Sequence, residues 1–309
     1  MKFSAIILRM ASAFAVAFCA TSSTVALAAK KASIETVGEY TWSYKVLSNE
    51  TVEILGVSSA TGGQVEGTVA MPSSLGGRNV SSVGYKALAK NSFVSEFVIP
   101  NGVGEIGAEA FKGCVRITSV VIPDSVSTIG NEAFAGCADI KTLRLGSGLQ
   151  TIGRNAFRGC SSVGSLVLPI SVKSIGNNAF SGLGMTSVSI PDSVTKVGQE
   201  AFSNCPKLRE VSIGKYVQTI PYKAFSNCPS LKTVTFADGS FVHTLGSECF
   251  AKCKSLTAMS FPASLRKVES AVFSGCSNLM LVEFASSPSM PSNGRAFAGA
   301  RKDMVVKTK

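Results

Sequence analysis

Cysteine is the most reactive residue type in this sequence, and its spacing decides what chemistry is open to it. Nine are present, and Cys19 lies in an apolar leader. Seven others, Cys114, Cys137, Cys160, Cys205, Cys228, Cys253 and Cys276, are separated by 23, 23, 45, 23, 25 and 23 residues. An even set of cysteines in a secreted chain ordinarily suggests disulfides. Cysteines at one position of stacked, equivalent units would instead have parallel Cβ vectors. Their Cβ atoms would sit ~4.8 Å apart, beyond the ~3.8 Å that a bridge prefers. The expectation is a column of reduced, buried thiols acting as small apolar fillers. Leu183 and Ala300 at the same position fit that role. Cys249, in the place of the usual Ala before Phe250, reads as a further filler. The CxxxC of Cys249 and Cys253 has no His or second Cys pair beside it, so no zinc site is expected.

The rest of the sequence offers little else to do chemistry with. His243 is the single histidine, too few for Ser-His-Asp or Cys-His catalysis. No phosphate-cradling GxGxxG or GxxxxGK[ST] is present. The acids are scattered, and Asp124-Ser125 and Asp192-Ser193 read as turn residues. The sequence therefore points to a non-enzyme with no catalytic residue, metal or cofactor.

The elements that hold these residues come from one phrase, VVIPDSVSTIGNEAFAGC at Val120 to Cys137, repeated along the chain. Its phenylalanine recurs as Phe111, Phe134, Phe157, Phe180, Phe202, Phe225, Phe250, Phe273 and Phe297, at intervals of 23, 23, 23, 22, 23, 25, 23 and 24. A fixed period of this length marks a repeat array. Each copy opens with alternation, as at Leu143, Arg144 and Leu145, which predicts a short strand. A Pro or Gly ends the strand. A second apolar pair follows (Leu149 and Ile152), then a Gly suited to a turn, and Ala156 to Cys160 is predicted as about one helical turn. One unit cannot bury its own apolar side. Stacked units bury it together, with rungs ~4.7–5 Å apart and an array on the order of 45 Å long. The Phe and Cys columns are the predicted core.

The openings Ile117, Val120 and Ile122 resemble leucine-rich repeats. The longer phrase IPxSVxxIGxxAFxGC resembles the BspA-like subclass over roughly Ser73 to Lys309, with PSSLGGRNVSSVGYKAL as a degenerate first copy. The resemblance implies a repeat solenoid of leucine-rich-repeat type, α/β and horseshoe-like, strand-rich with short helical turns. About ten rungs of about 23 residues would build it. It also implies a secreted or surface-bound adhesion or ligand-binding protein.

Residues 1–29 read as a signal peptide: basic Lys2 and Arg9, an apolar run from Met10 to Ala20, and Ala26-Leu27-Ala28 as cleavage site. The run is shorter than the ~20 residues of a membrane span. Phe18 is bulky for a lipoprotein signal ending at Cys19. Cleavage would lower the net charge from +11 by two. Residues 32–72, with Tyr40, Trp42 and Tyr44 alternating ahead of Val52 and Ile54, read as a hairpin that lids the first rung. The solenoid with its C-terminal cap occupies 73–309, with a strand near Met304-Val305-Val306 blunted by Lys307-Thr308-Lys309. Two copies break the rhythm: one residue is missing between Phe180 and Phe202, and two are added between Phe225 and Phe250, around Asp238 to His243. Asn49 and Asn79 head glycosylation sequons, which matter only in a glycosylating host.

The outward strand positions form two rows. One is Glu96, Ser119, Thr142, Ser165, Ser187, Glu210, Thr233, Ala258, Leu281. The other is Val98, Val121, Arg144, Val167, Ser189, Ser212, Thr235, Ser260, Glu283. They hold one cation and no aromatic, which excludes a nucleic-acid groove. Basic residues gather in the loop before the strand. Candidate ligand-binding residues are Lys207, Arg209, Lys232 and Lys254, with Asp238 and His243 in the inserted loop. The implied partner is an extracellular protein or an acidic glycan. The expected location is secreted, extracellular or cell-surface, with the periplasm as the other compartment open to an exported chain. The competing reading is a structural or assembly protein of the cell envelope with no soluble ligand.

Overall fold

The computed structural model describes residues 32–291, 295–300 and 303–308; the leader read at 1–29 lies outside them. Each repeat makes one turn of a solenoid with three sides. The first side is the predicted strand. Glu66–Ala70, Phe93–Val98, Ser119–Val121 and Thr142–Arg144 pair in parallel, in the register of the repeat, with Val120 opposite Leu143. Ser187–Ile190, Glu210–Ile213 and Thr233–Phe236 form a second such group. Ala258–Phe261, Leu281–Phe284 and Val305–Thr308 form a third. Alternation does what it predicts: Leu143 is buried between exposed Thr142 and Arg144.

The second side is also a parallel ladder, which the apolar pairs alone did not announce. Two-residue strands such as Thr128–Ile129, Thr151–Ile152, Ser174–Ile175 and Lys196–Val197 pair rung to rung. The Gly after each pair is forced by contact. A Cβ on Gly153 would lie 2.5 Å from the Gly130 backbone, and one on Gly176 would lie 2.5 Å from that of Gly153. Rungs this close exclude any side chain there.

The third side corrects the expected helical turn. Ala156 to Cys160 forms successive turns, and the described residues contain no α-helix, only a 3-10 turn at Arg295–Phe297. The reason is where the amides go. Phe134 N–H donates to the Ala156 carbonyl on the next rung at 2.8 Å, and Phe157 N–H to Ala179 at 2.8 Å, so they are not free for helical bonds. Two left-handed residues per rung aim the chain this way. One is Gly in some rungs, such as Gly136 (φ 75°), and Asn or Lys in others, such as Asn204, Asn227 and Lys252; the other is not Gly, as at Glu109, Glu132, Asn155 and Glu200 (φ 54–59°). Left-handed backbone in an L residue carries strain that neighbouring structure must hold.

Inside the coil the phenylalanines from Phe111 to Phe297 stack face to face at 4.8–6.0 Å. That spacing suits aromatic pairs and matches the rung repeat. Ahead of the repeats stand β1 (Ser33–Val37), β2 (Tyr40–Val46) and β3 (Val52–Ser59), antiparallel, with β3 continuing in parallel onto Arg78–Val83. Trp42 and Tyr44 are buried. The turn residues named from sequence tie rungs together. Asp124 Oδ1 accepts from Ser147 N–H at 2.7 Å, and Ser125 Oγ donates to the Val103 carbonyl at 2.7 Å.

Candidate functional site

All eight described cysteines are free and buried. Each column thiol also does something a methyl group could not. Cys137 Sγ donates to the Phe111 carbonyl at 3.2 Å, Cys160 to Phe134 at 3.3 Å, Cys228 to Phe202 at 3.2 Å and Cys276 to Phe250 at 3.0 Å. The acceptor always lies on the preceding rung. Burial pushes the Cys114 thiol up to about 11 and Cys160 up to about 12, and it raises Cys137, Cys249 and Cys253 as well. Reactive cysteines need depressed values and access. These five groups have neither; Cys205 alone is lowered, by its hydrogen bond with Cys228, which is raised in turn, and both are buried. Among the described residues no cluster of three or more His, Cys, Asp or Glu could hold a metal ion, and no helix is long and apolar enough to cross a membrane.

The outward rows are where the alternation placed them, and they are in register: Ser187, Glu210 and Thr233 lie side by side, as do Ser189, Ser212 and Thr235. The basic candidates sit along one edge of this face. Lys232 N–H donates to the Arg209 carbonyl at 2.8 Å, so these two hold the same place on adjacent rungs. Lys207 follows Pro206, and the loop of Lys254 stands two rungs further on, joined through the loop between them, with Ser230 Oγ donating to the Pro206 carbonyl and Ser255 N–H to that of Pro229. All four cations are exposed and, among the described residues, none forms an ion pair.

The structure does not bring Asp238 and His243 to that edge. The added residues bulge after Thr233–Phe236, at the strand end opposite Lys232, with Gly239 left-handed (φ 65°). His243 lies further on, where its N–H bonds the Gln218 carbonyl at 2.8 Å and starts the second ladder. The bulge instead lays exposed Phe241 on exposed Tyr216 at 5.6 Å, with Lys215 Nζ 5.7 Å from the tyrosine ring. The two rings hold the same position of adjacent repeats, three residues ahead of the paired Thr219 and Thr244, and sequence reasoning missed them because the 25-residue interval hides that alignment.

It also missed a charge ladder on the third side. Lys112 Nζ bridges Glu109 at 2.9 Å and Glu132 at 2.7 Å, and Lys86 and Arg154 extend the line at 3.6 Å. The hydrogen bond to Glu132 pushes Lys112 up to about 12, and the bond from Lys112 holds both carboxyls below their usual range. This network joins rungs and leaves its charges spent on one another.

Comparison with known proteins places the chain. The family description BspA type Leucine rich repeat region, six copies, matches residues 81–209 and 173–300. No curated protein matches. A leucine-rich repeat protein of T. pallidum is similar at 23% identity, over 72% of this chain and 90% of that one, with a TM-score of 0.51. A leucine rich cell surface protein of Faecalibacterium prausnitzii is similar at 21% identity, over 89% and 94%, with a TM-score of 0.47. A leucine-rich repeat protein from Bacteroides ovatus is similar at 22%, over 89% and 90%, with a TM-score of 0.38. Phe and Cys columns, parallel ladders and matched copies together make the chain a member of the BspA-type leucine-rich repeat family.

Proposed function

We propose that this is an exported, non-catalytic binding protein that holds an extracellular protein or acidic glycan against the basic loop edge of its strand face. One observation carries the reading: Arg209 and Lys232 stand on adjacent rungs, exposed and, among the described residues, in no ion pair, beside strand rows that hold mostly Ser and Thr with Glu210 as the one acid next to them. Like charges spaced by rungs repel modestly, and a polyanion relieves that repulsion and releases counterions. The leader-like start and the family resemblance support export and a place on the cell surface.

The test uses heparin as probe. Wild type should be retained at ~0.15 M salt and released steeply as salt rises. A Lys207→Ser, Arg209→Ser, Lys232→Ser, Lys254→Ser variant with unchanged circular dichroism should not be retained. Equal retention of the two would reduce the edge to a solvated surface.

The assembly reading has its own observation in the final strand. Val305–Thr308 is exposed along its length, with Val305 at 48% and Val306 at 44%, so a rung-like edge is open to another chain. Sedimentation that becomes concentration-dependent, and that Val306→Lys abolishes, would favour it over ligand binding.

A further inference from the structure

One rung of the strand face is unpaired. The main chain of Gly164 to Leu168 makes no backbone hydrogen bond, although Thr142–Arg144 before it and Ser187–Ile190 after it pair with their outer neighbours. The other two sides of the same rung are intact. Ser174–Ile175 pairs on both flanks, and Phe180 stacks on Phe157 at 5.6 Å and on Phe202 at 5.5 Å. On the far flank the break coincides with the missing residue. Cys160 and Val163 are joined by two residues, Leu183 and Met185 by Gly184 alone. In the shorter loop Gly184 lies so close to the rung before it that a Cβ there would be 2.4 Å from the Ser161 carbonyl oxygen.

Grooves of about 710 Å³ and about 810 Å³ open on the two sides of this rung. Val167 and Ile170 stand at their rims, 76% and 86% exposed, the two most exposed large apolar side chains among the described residues. Lys141 and Arg144 line the first groove, and neither forms an ion pair among the described residues. The acid in that groove, Asp124, is held by the Ser147 amide.

We propose that this seam is a second binding site, independent of the basic edge at Arg209 and Lys232. Its occupant is an extended peptide segment of a partner protein, with aliphatic side chains next to a carboxylate. Unpaired amides and carbonyls on the groove walls need an occupant with alternating donors and acceptors, which a peptide main chain has and a lipid chain lacks. No aromatic ring lines either groove, so the stacking platform that a sugar ring would use is missing. Val167 and Ile170 take the aliphatic groups, and Arg144 with Lys141 takes the carboxylate.

A displayed library of random dodecapeptides, selected on the wild-type chain and counter-selected on a Val167→Ser, Ile170→Ser variant, tests this. Selected sequences should place Asp or Glu beside Val, Ile or Leu. A synthetic peptide of that sequence should lose at least tenfold in affinity on the double variant and on Arg144→Ser, while the heparin-edge variant binds it as wild type does. Hydrogen exchange checks the premise: the amides of Leu166 and Leu168 should exchange much faster than those of Leu143 and Val188. Slow exchange there, no enriched peptides, peptides that bind the double variant equally, or a seam occupied by heparin or by a second copy of the chain would each overturn the proposal.

Discussion

A thiol that donates to a carbonyl one rung away is useful only while it keeps its proton. In the unfolded chain cysteine ionises near ~8.5. In the folded array burial raises Cys114 and Cys276 to about 11 and Cys160 to about 12. Below the unfolded value both states hold the proton, and the folded advantage is complete. Above it the unfolded chain loses the proton first, so stability falls as pH rises. The loss is on the order of 1.4 kcal/mol per thiol per pH unit until the folded value is reached. Urea midpoints should therefore drop steeply from about pH 8.5 to about pH 11, and Cys160→Ala should flatten that slope measurably. A flat profile would sink the argument. Thiol labelling of the native protein should be slow, and that of the unfolded protein complete. The column was legible in the sequence because only a shared position explains Cys, Leu183 and Ala300 in one place. Its hydrogen bonds were not, since a spacing carries no record of where a neighbouring carbonyl points. The left-handed position was nearly silent too. Glu132 and Glu200 give no sign of it, and only Asn155 and Asn178 hint that the backbone turns there.

Strands and turns divide the work unequally. A residue on the buried side of a strand or in the Phe column touches two rungs, while one in the outward rows touches water. Replacing Phe157 by Ala should cost ~3–5 kcal/mol by removing one ring from a continuous stack. Thr142→Ala, on the exposed face, should stay within ~0.5 kcal/mol. Chemical denaturation of both variants checks this, and equal losses would mean the faces are reversed. Period-two alternation made the first ladder readable. The second ladder rests on two residues per rung, such as Thr151–Ile152, too short for any period to show. The helical turn expected at Ala156 to Cys160 failed because amides that could close a helix found better-placed carbonyls on the next rung.

At the scale of the whole array each rung meets only its neighbours, so damage at one end should stay near that end. Trp42→Ala should speed amide exchange in Val52–Ser59 and Arg78–Val83 and leave Ala258–Phe261 unchanged, as mass spectrometry would show. Uniform acceleration would mean the array unfolds as one unit. The rhythm break beside the seam was visible in the spacing. Its effect was not, because a letter count does not say whether neighbouring strands still meet within hydrogen-bonding distance. The unpaired rung also makes the array mechanically uneven. Between Thr142–Arg144 and Ser187–Ile190, tension on the strand face has no hydrogen-bonded path, so load passes through the second ladder and the ring stack alone. The ladder is interrupted again between Thr233–Phe236 and Ala258–Phe261, so a coil pulled end to end should yield first on its strand side, at these breaks, as a spring yields at its thin turns.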